Sequence, residues 1–111
     1  MGRESPDVSA IYALCDPDSN AVRYIGKTTC PLKERLAQHM AEARRYEGNV
    51  PVNMSAKNEW IRSLESTGKR PTILLIESTS DYEAGWDIER RWIDFYRGEV
   101  SDLLNGNSGV A

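Results

Sequence analysis

The sequence predicts a single α+β domain, in which a small three-stranded β-sheet is flanked by helices in the element order ββααβα. Three short segments carry the alternating or β-branched apolar pattern of strands, and three longer segments carry the apolar spacing of amphipathic helices. The length of 111 residues, 40% of them hydrophobic, suits one globular domain with one buried core. We expect residues 9–109 to form this domain and residues 1–8 to form a flexible N-terminal tail.

The first two strands are expected to form a β-hairpin. Ser9–Cys15 alternates and is rich in apolar residues, and residues 22–26 resume a strand pattern. The intervening Asp-Pro-Asp-Ser-Asn segment at residues 16–20 consists of residue types that favour turns.

Two helices should follow the hairpin. Pro31 suits the first position of a helix, and the apolar residues after it recur at helical spacing to about Tyr46. A second helix is expected to begin near Asn53 or Ser55 and to end at Gly68. The residues expected to face inward are Leu32, Leu36, Met40 and Ala43 in the first helix, and Ala56, Trp60, Ile61 and Leu64 in the second.

The last third of the chain predicts a strand and a third helix. Residues 72–77 are β-branched at the start and apolar in the middle, as expected of a strand that is covered on both faces. Ser80 and Glu83 form a capping-box pattern for a helix that runs to about Arg97. The broad apolar face of this helix contains Ala84, Trp86, Ile88, Trp92, Ile93, Phe95 and Tyr96.

Glu89 is the acidic residue that falls inside this apolar face. A carboxylate among aromatic side chains is costly unless it meets a cation, a metal ion or several hydrogen-bond donors. Two interpretations therefore stay open: Glu89 binds a metal ion, or it forms an internal ion pair with an arginine or a lysine.

Arg35 and His39 form a second candidate set. They are four residues apart on the first helix and share one face beside its apolar stripe. Arginine can hold a phosphate through two hydrogen bonds, and histidine can transfer a proton near neutral pH. Taken alone, the pair is a weak signal, because an arginine and a histidine on one helix are more often ordinary surface residues.

Charge is segregated along the chain. The net charge is −3, but residues 21–70 hold ten lysines and arginines against five acidic residues. This basic segment could face phosphates, although a solvated basic surface explains the charge pattern equally well.

Membrane insertion and secretion are not indicated. The longest aliphatic run, residues 73–76, is far shorter than the roughly 20 residues of a membrane-spanning helix. The polar N-terminus lacks the pattern of a secretory signal, so we expect a cytoplasmic protein. Cys15 and Cys30 could pair, but without a secretion signal we expect both to be reduced core residues. A zinc site formed by the two cysteines and His39 would lack a fourth ligand.

The strongest functional signal is a pair of short motifs in the hairpin, Ala10-Ile11-Tyr12 and Tyr24-Ile25-Gly26-Lys27-Thr28. They resemble the paired signature of the GIY-YIG nuclease superfamily, with Ala10 in place of the first glycine. The resemblance spans about residues 9–109, and the compact chain is similar to phage, homing and single-domain members. Further matches follow in the order of the family: Arg35, His39, Glu89 and Asn105.

The resemblance implies a metal-dependent endonuclease that hydrolyses phosphodiester bonds in DNA. It implies that Glu89 binds one divalent cation per site, Mg²⁺ or Mn²⁺. It also implies that Tyr12 accepts the proton of the attacking water. The ordinary pKa of tyrosine is too high for this role, so either the positive charge of Lys27 or a metal-bound hydroxide must assist. Of the two, we expect Lys27 to assist Tyr12.

The other matched residues are expected to support the reaction. Arg35 would neutralise the scissile phosphate, and Asn105 would anchor the site through hydrogen bonds. Tyr24 and His39 would position reacting groups or transfer protons. The residues expected to contact nucleic acid are Lys27, Lys33, Arg35, Arg44 and Arg45.

Two other functions stay open. One is a catalytically inactive nucleic-acid-binding module, and the other is a structural or protein-interaction domain in which Glu89 pairs with Arg35. The acidic net charge implies weak affinity for DNA. A partner protein, a fused DNA-binding domain or a second copy of the chain could therefore supply additional DNA-binding affinity.

Overall fold

The computed structural model describes residues 8–45, 55–99 and 103–105. Its elements, in chain order, are β1 (Ser9–Cys15), β2 (Val22–Thr28), α1 (Leu32–Arg44), α2 (Ala56–Glu65), β3 (Thr72–Thr79) and α3 (Ala84–Glu99). The predicted α+β class and the order ββααβα are confirmed. The expectations for residues 1–7, for a first helix ending at Tyr46, for a second helix starting at Asn53 and for residues 106–109 lie outside the described residues.

The three strands form one antiparallel sheet in the order β2-β1-β3, so β1 is the central strand. The hairpin turns at Asp16, whose Oδ1 accepts hydrogen bonds from the backbone N–H groups of Asp18 and Ser19 at 2.8 and 3.0 Å. The turn expected at residues 16–20 is therefore present. Because β1 has a strand on each side, residues 11–14 at its centre are fully buried.

The expectation that the third strand is covered on both faces is wrong. β3 lies at an edge of the sheet, and the side chains of Leu74 and Leu75 are 56% and 51% exposed. An apolar run identifies a strand from the local pattern, but the neighbours of that strand depend on packing with distant parts of the chain. The central place belongs to β1.

Two helices begin at polar caps. Ser55 caps α2, because its side-chain oxygen accepts a hydrogen bond from the N–H of Asn58 at 3.2 Å. Before α3, Oδ1 of Asp81 accepts hydrogen bonds from the N–H groups of Glu83 and Ala84 at 3.0 and 3.1 Å. The capping-box pattern predicted Ser80 as the capping residue, but the residue that caps α3 is its neighbour Asp81. Aspartate is as favourable as serine at the start of a helix.

Two apolar clusters hold the elements together. The cluster between the sheet and α3 contains Ile11, Ala13, Cys15, Ile25, Ile88 and Leu103. The cluster between α1 and α2 contains Met40, Ala43 and Ile61, with Leu36 and Trp60 packed against it. The apolar face predicted for α3 is only partly buried, since Trp86 and Phe95 are more than half exposed. Among the described residues, no helix has the length and apolar character to cross a membrane.

Candidate active site

A buried hydrogen-bonded group forms where β1 meets α1. The phenol oxygen Oη of Tyr12, in the middle of β1, is 2.6 Å from Nε2 of His39. The Nε of Arg35 donates a hydrogen bond to the same oxygen at 3.1 Å. Because Arg35 and His39 are four residues apart on α1, one helix face delivers both side chains to Tyr12. The structure therefore brings together three of the residues that the sequence singled out.

Sequence reasoning missed two residues of this group. Lys57 of α2 places its Nζ 2.9 Å from Nδ1 of His39 and 3.2 Å from Oε1 of Glu42. Lys57 is buried, whereas Glu42 is partly exposed. The signal that could have identified Lys57 is its spacing: it lies four residues before the buried Ile61 and therefore shares the inner face of α2.

Tyr24 of β2 lies against the same histidine. Its ring meets the His39 ring edge-on with ring centres 5.7 Å apart, and the ring of Tyr12 does the same at 5.8 Å. The Nζ of Lys57 is 5.6 Å from the centre of the Tyr24 ring. His39, which is fully buried, thus contacts both tyrosines of the paired motif.

Burial shifts the pKa values of this group. It raises the pKa of Tyr12 to about 12, although the hydrogen bond and the charge of Arg35 oppose the rise. It lowers the pKa of His39 to about 3, and the positive charges of Lys57 and Arg35 add to this effect. At neutral pH, Tyr12 is therefore a phenol and His39 a neutral imidazole. Burial also raises the pKa of Tyr24, with a further contribution from nearby acidic charge.

Lys27, which the sequence predicts to assist Tyr12, lies against two aromatic rings. The Nζ of Lys27 is 4.6 Å from the ring centre of Tyr82 and 4.0 Å from that of Trp86. Among the described residues, the positively charged side chain that donates a hydrogen bond to Tyr12 is Arg35. The sequence could not show this, because the two aromatic rings that attract the lysine belong to the distant segment at the start of α3.

Glu89 lies on α3 beside an open cavity of about 340 Å³. Burial raises the pKa of its carboxyl, while the charges of Lys27 and Arg90 oppose the rise. Within the described part of the chain, Glu89 forms no hydrogen bond and no ion pair. Its charge is therefore only partly compensated by its surroundings.

The ion pair between Glu89 and Arg35 is not formed. The Nε of Arg35 donates to Tyr12, and its Nη1 donates to Oε1 of Gln38 at 2.9 Å. A partly buried carboxylate with open space beside it suits a hard divalent cation whose other ligands are water and phosphate oxygens. Glu89 therefore fits the role of a single carboxylate ligand.

The two cysteines are free; Cys15 is buried in the core as expected, whereas the expectation of a core position is wrong for Cys30, which is partly exposed. Across residues 8–45, 55–99 and 103–105, no cluster of three or more histidine, cysteine, aspartate or glutamate side chains could hold a metal ion. The zinc set considered for the two cysteines and His39 is therefore not assembled there.

Asn105 closes the outer edge of β2. Its side-chain oxygen accepts a hydrogen bond from the N–H of Ile25, and its Nδ2 donates to the carbonyl of Ile25, both at 2.6 Å. The Nη2 of Arg97 on α3 donates to the backbone carbonyl of Asn105 at 3.1 Å. Asn105 thus ties α3 to the strand that carries Tyr24 and Gly26.

The basic residues expected to contact nucleic acid do not form one group. Arg35 belongs to the buried group around Tyr12, and Lys27 lies against the aromatic rings before and within α3. Arg44 is exposed, and its Nε and Nη2 donate to Oε2 of Glu65 at 3.0 and 2.7 Å. The remaining members are exposed at the surface of α1 and at its C-terminal end: Lys33 and Arg45.

Comparison with known protein families gives a match over most of the chain. The GIY-YIG catalytic domain matches residues 8–100, a span that includes all three strands and all three helices. No match is found among curated proteins or among solved structures. The extent of the family match and the grouping of both motif tyrosines around Arg35 and His39 lead to one conclusion: the chain belongs to the GIY-YIG family of nucleases.

Proposed function

We propose that this protein is an endonuclease that hydrolyses phosphodiester bonds in DNA and depends on one divalent cation, Mg²⁺ or Mn²⁺, at Glu89. The observation that supports this most strongly is the buried oxygen of Tyr12, which lies within hydrogen-bonding distance of both Arg35 and His39. Packing alone does not require two nitrogen groups on one phenol oxygen. A group that changes its protonation state does gain from such contacts.

Tyr12 accepts the proton of the water that attacks phosphorus. Its phenolate is the form that can accept a proton, and Arg35 stabilises this form because it donates an N–H to the oxygen and carries a positive charge. With a pKa of about 12, Tyr12 is mostly a phenol at neutral pH, so the reactive phenolate is a minor form.

Arg35 also binds the scissile phosphate. Its contacts with Tyr12 and Gln38 leave further N–H donors of the guanidinium for the non-bridging oxygens. These donors neutralise the charge that grows on the phosphate in the transition state. Arg35 therefore connects the proton acceptor to the substrate.

Glu89 holds the cation. Its carboxylate is partly buried and borders an open cavity, so a cation relieves the unfavourable burial of its charge. The bound ion would polarise the phosphodiester and stabilise the leaving 3′ oxygen.

DNA binding by this chain alone is weak in this proposal. The net charge is −3, and Arg44 is already paired with Glu65. A partner protein, a fused DNA-binding domain or a second copy of the chain supplies the remaining affinity. We therefore choose low salt for the activity assay, because screening weakens phosphate contacts.

The test is incubation of supercoiled plasmid with the purified protein in Mg²⁺ or Mn²⁺ at low salt. We expect nicked or linear DNA with the wild type, and intact plasmid with EDTA or with Glu89→Ala. The matched control is Glu59→Ala, which removes an exposed glutamate of α2 and should leave cleavage unchanged. Intact plasmid with every protein would instead favour a binding module without catalytic activity.

A further inference from the structure

We propose that Lys57 is a positioning residue that holds His39 in the tautomer with its proton on Nε2, so that the Tyr12 oxygen accepts two N–H hydrogen bonds. Lys57 lies on α2, outside both motifs of the hairpin and outside the matched residues of α1. The inference rests on the proposed nuclease function only for its kinetic part.

The tautomer follows from the chemistry of the two contacts of His39. A lysine ammonium group has hydrogens to donate and no lone pair with which to accept. Because Nζ of Lys57 is 2.9 Å from Nδ1 of His39, Nδ1 must accept and therefore carries no proton. A neutral imidazole has one N–H, so the proton resides on Nε2, which is 2.6 Å from Oη of Tyr12.

Two features keep Lys57 charged and in place. Its Nζ forms an ion pair with Oε1 of Glu42 at 3.2 Å, and it lies 5.6 Å from the centre of the Tyr24 ring. Burial lowers the pKa of Lys57, but the Glu42 carboxylate opposes this shift. The charge of Lys57 in turn lowers the pKa of Glu42 and so keeps it ionised. His39 cannot relieve the arrangement by taking a second proton at neutral pH, since its pKa is about 3.

The tautomer of His39 determines which hydrogen bond Tyr12 forms with it. Its oxygen has two lone pairs, and they face Nε–H of Arg35 and Nε2–H of His39. Both donors stabilise the phenolate that the proposed reaction needs. If Lys57 were absent, the His39 ring could carry its proton on Nδ1 instead. Nε2 would then accept the Tyr12 O–H, and this bond would stabilise the phenol.

A lysine at position 57 is energetically unfavourable if its only role is to fill space. Burying a charged group requires compensation by a partner, whereas an unbranched apolar side chain of similar length would pack without that cost. Lys57→Met therefore removes the donor to His39 while it keeps most of the volume. Lys57→Arg keeps a side chain that can only donate hydrogen bonds.

The test uses the fact that the chain contains a single histidine. Long-range ¹H–¹⁵N NMR of tag-free protein at neutral pH reports which ring nitrogen of His39 carries the proton. We expect the Nε2–H form in wild type, in Lys57→Arg and in the control Lys69→Met, which removes an exposed lysine paired with Asp18. In Lys57→Met we expect a mixture of tautomers or the Nδ1–H form.

Plasmid nicking then measures the kinetic part. We expect Lys57→Met to cut roughly 10²-fold more slowly, at the lower end of what an acid–base group contributes, with partial recovery in Lys57→Arg. If Lys57→Met does not fold, Lys57→Gln replaces it, because an amide can donate or accept and so should mix the tautomers.

The outcomes separate the two proposals. Nδ1–H in wild type, or the same pure Nε2–H signal in the Met or Gln variant, would overturn the role of Lys57. The expected tautomer pattern in a protein that cuts no DNA would leave the positioning role standing and would remove the proposed nuclease function.

Discussion

Gly26 of β2 lies directly opposite Tyr12 of β1, and a Cβ atom at position 26 would overlap the end of the Tyr12 phenol ring. The phenol can therefore extend across the backbone of β2 only because residue 26 has no side chain. This contact explains in steric terms why the second motif contains a glycine: it leaves the space in which Tyr12 reaches Arg35 and His39.

The first prediction follows from this contact. Gly26→Ala should displace the phenol of Tyr12 from its partners, reduce the nicking rate by roughly 10²-fold and destabilise the fold by about 1–3 kcal/mol. Urea unfolding and plasmid nicking measure the two effects. Gly98→Ala is the matched control: a Cβ there meets open space on α3, and the substitution should stabilise the helix by about 0.5–1 kcal/mol. Equal behaviour of the two variants would contradict the steric argument.

Asn105 should contribute mainly to stability. Asn105→Ala removes both hydrogen bonds to the backbone of Ile25 and should lower the free energy of unfolding by about 1–3 kcal/mol. Asn105→Asp keeps the acceptor for the Ile25 N–H but places a carboxylate oxygen against the Ile25 carbonyl, so it should destabilise the fold at least as much as alanine. Urea unfolding of the three proteins checks the order, and an alanine variant as stable as wild type would show that the anchor is dispensable.

The stability of the fold should depend on pH through His39. The pKa of His39 is about 3 in the folded protein, compared with the ordinary histidine value of 6.5 that applies to the unfolded chain. Between these two pH values, the imidazole is protonated in the unfolded chain and neutral in the folded protein. The contribution of His39 to the free energy of unfolding is therefore fully present above pH 6.5. It decreases as the pH falls below that value, by up to about 1.4 kcal/mol per pH unit. The contribution of Glu42, whose pKa is lowered, is lost only at lower pH, below its ordinary value of 4.5.

Urea unfolding of wild type and His39→Gln at pH 7, 6 and 5 measures this contribution. The wild type should lose stability over this range, and the variant should lose distinctly less. Parallel losses in both proteins would show that another group titrates.

The cleavage rate should rise with pH. Because the pKa of Tyr12 is about 12, its phenolate fraction increases about tenfold per pH unit through the neutral and mildly alkaline range. Initial nicking rates in Mg²⁺ should therefore increase with a slope near one on a logarithmic scale. Tyr12→Phe should lose most of the activity and this dependence. A rate independent of pH in the wild type would exclude Tyr12 as the proton acceptor.

Features that depend on residues close together in the chain could be predicted from the sequence. The hairpin turn at residues 16–20 and the shared face of Arg35 and His39 follow from turn chemistry and helical spacing, and both are present. The contact between Lys57 and His39 could not be predicted in the same way. It requires knowledge of how α2 packs on α1, and the sequence spacing gives only which residues share a face.

The same reasoning explains the errors. The exposure of Leu74 on β3 depends on strand order, which joins segments far apart in the chain. The charge of Lys27 was expected to act on Tyr12, but its Nζ lies against the aromatic rings of Tyr82 and Trp86, which belong to a distant segment of the chain. Non-local packing therefore decides which of the recognised residues act on one another.

The most direct test of the proposed reaction is cleavage of an end-labelled DNA duplex in Mg²⁺, with analysis of the new ends. If water attacks phosphorus and the 3′ oxygen leaves, the wild type should produce 5′-phosphate and 3′-hydroxyl ends, and Glu89→Ala and EDTA should abolish the products. Products with 3′-phosphate ends, equal cleavage by Glu89→Ala, or no cleavage by wild type at low salt would each contradict the proposal.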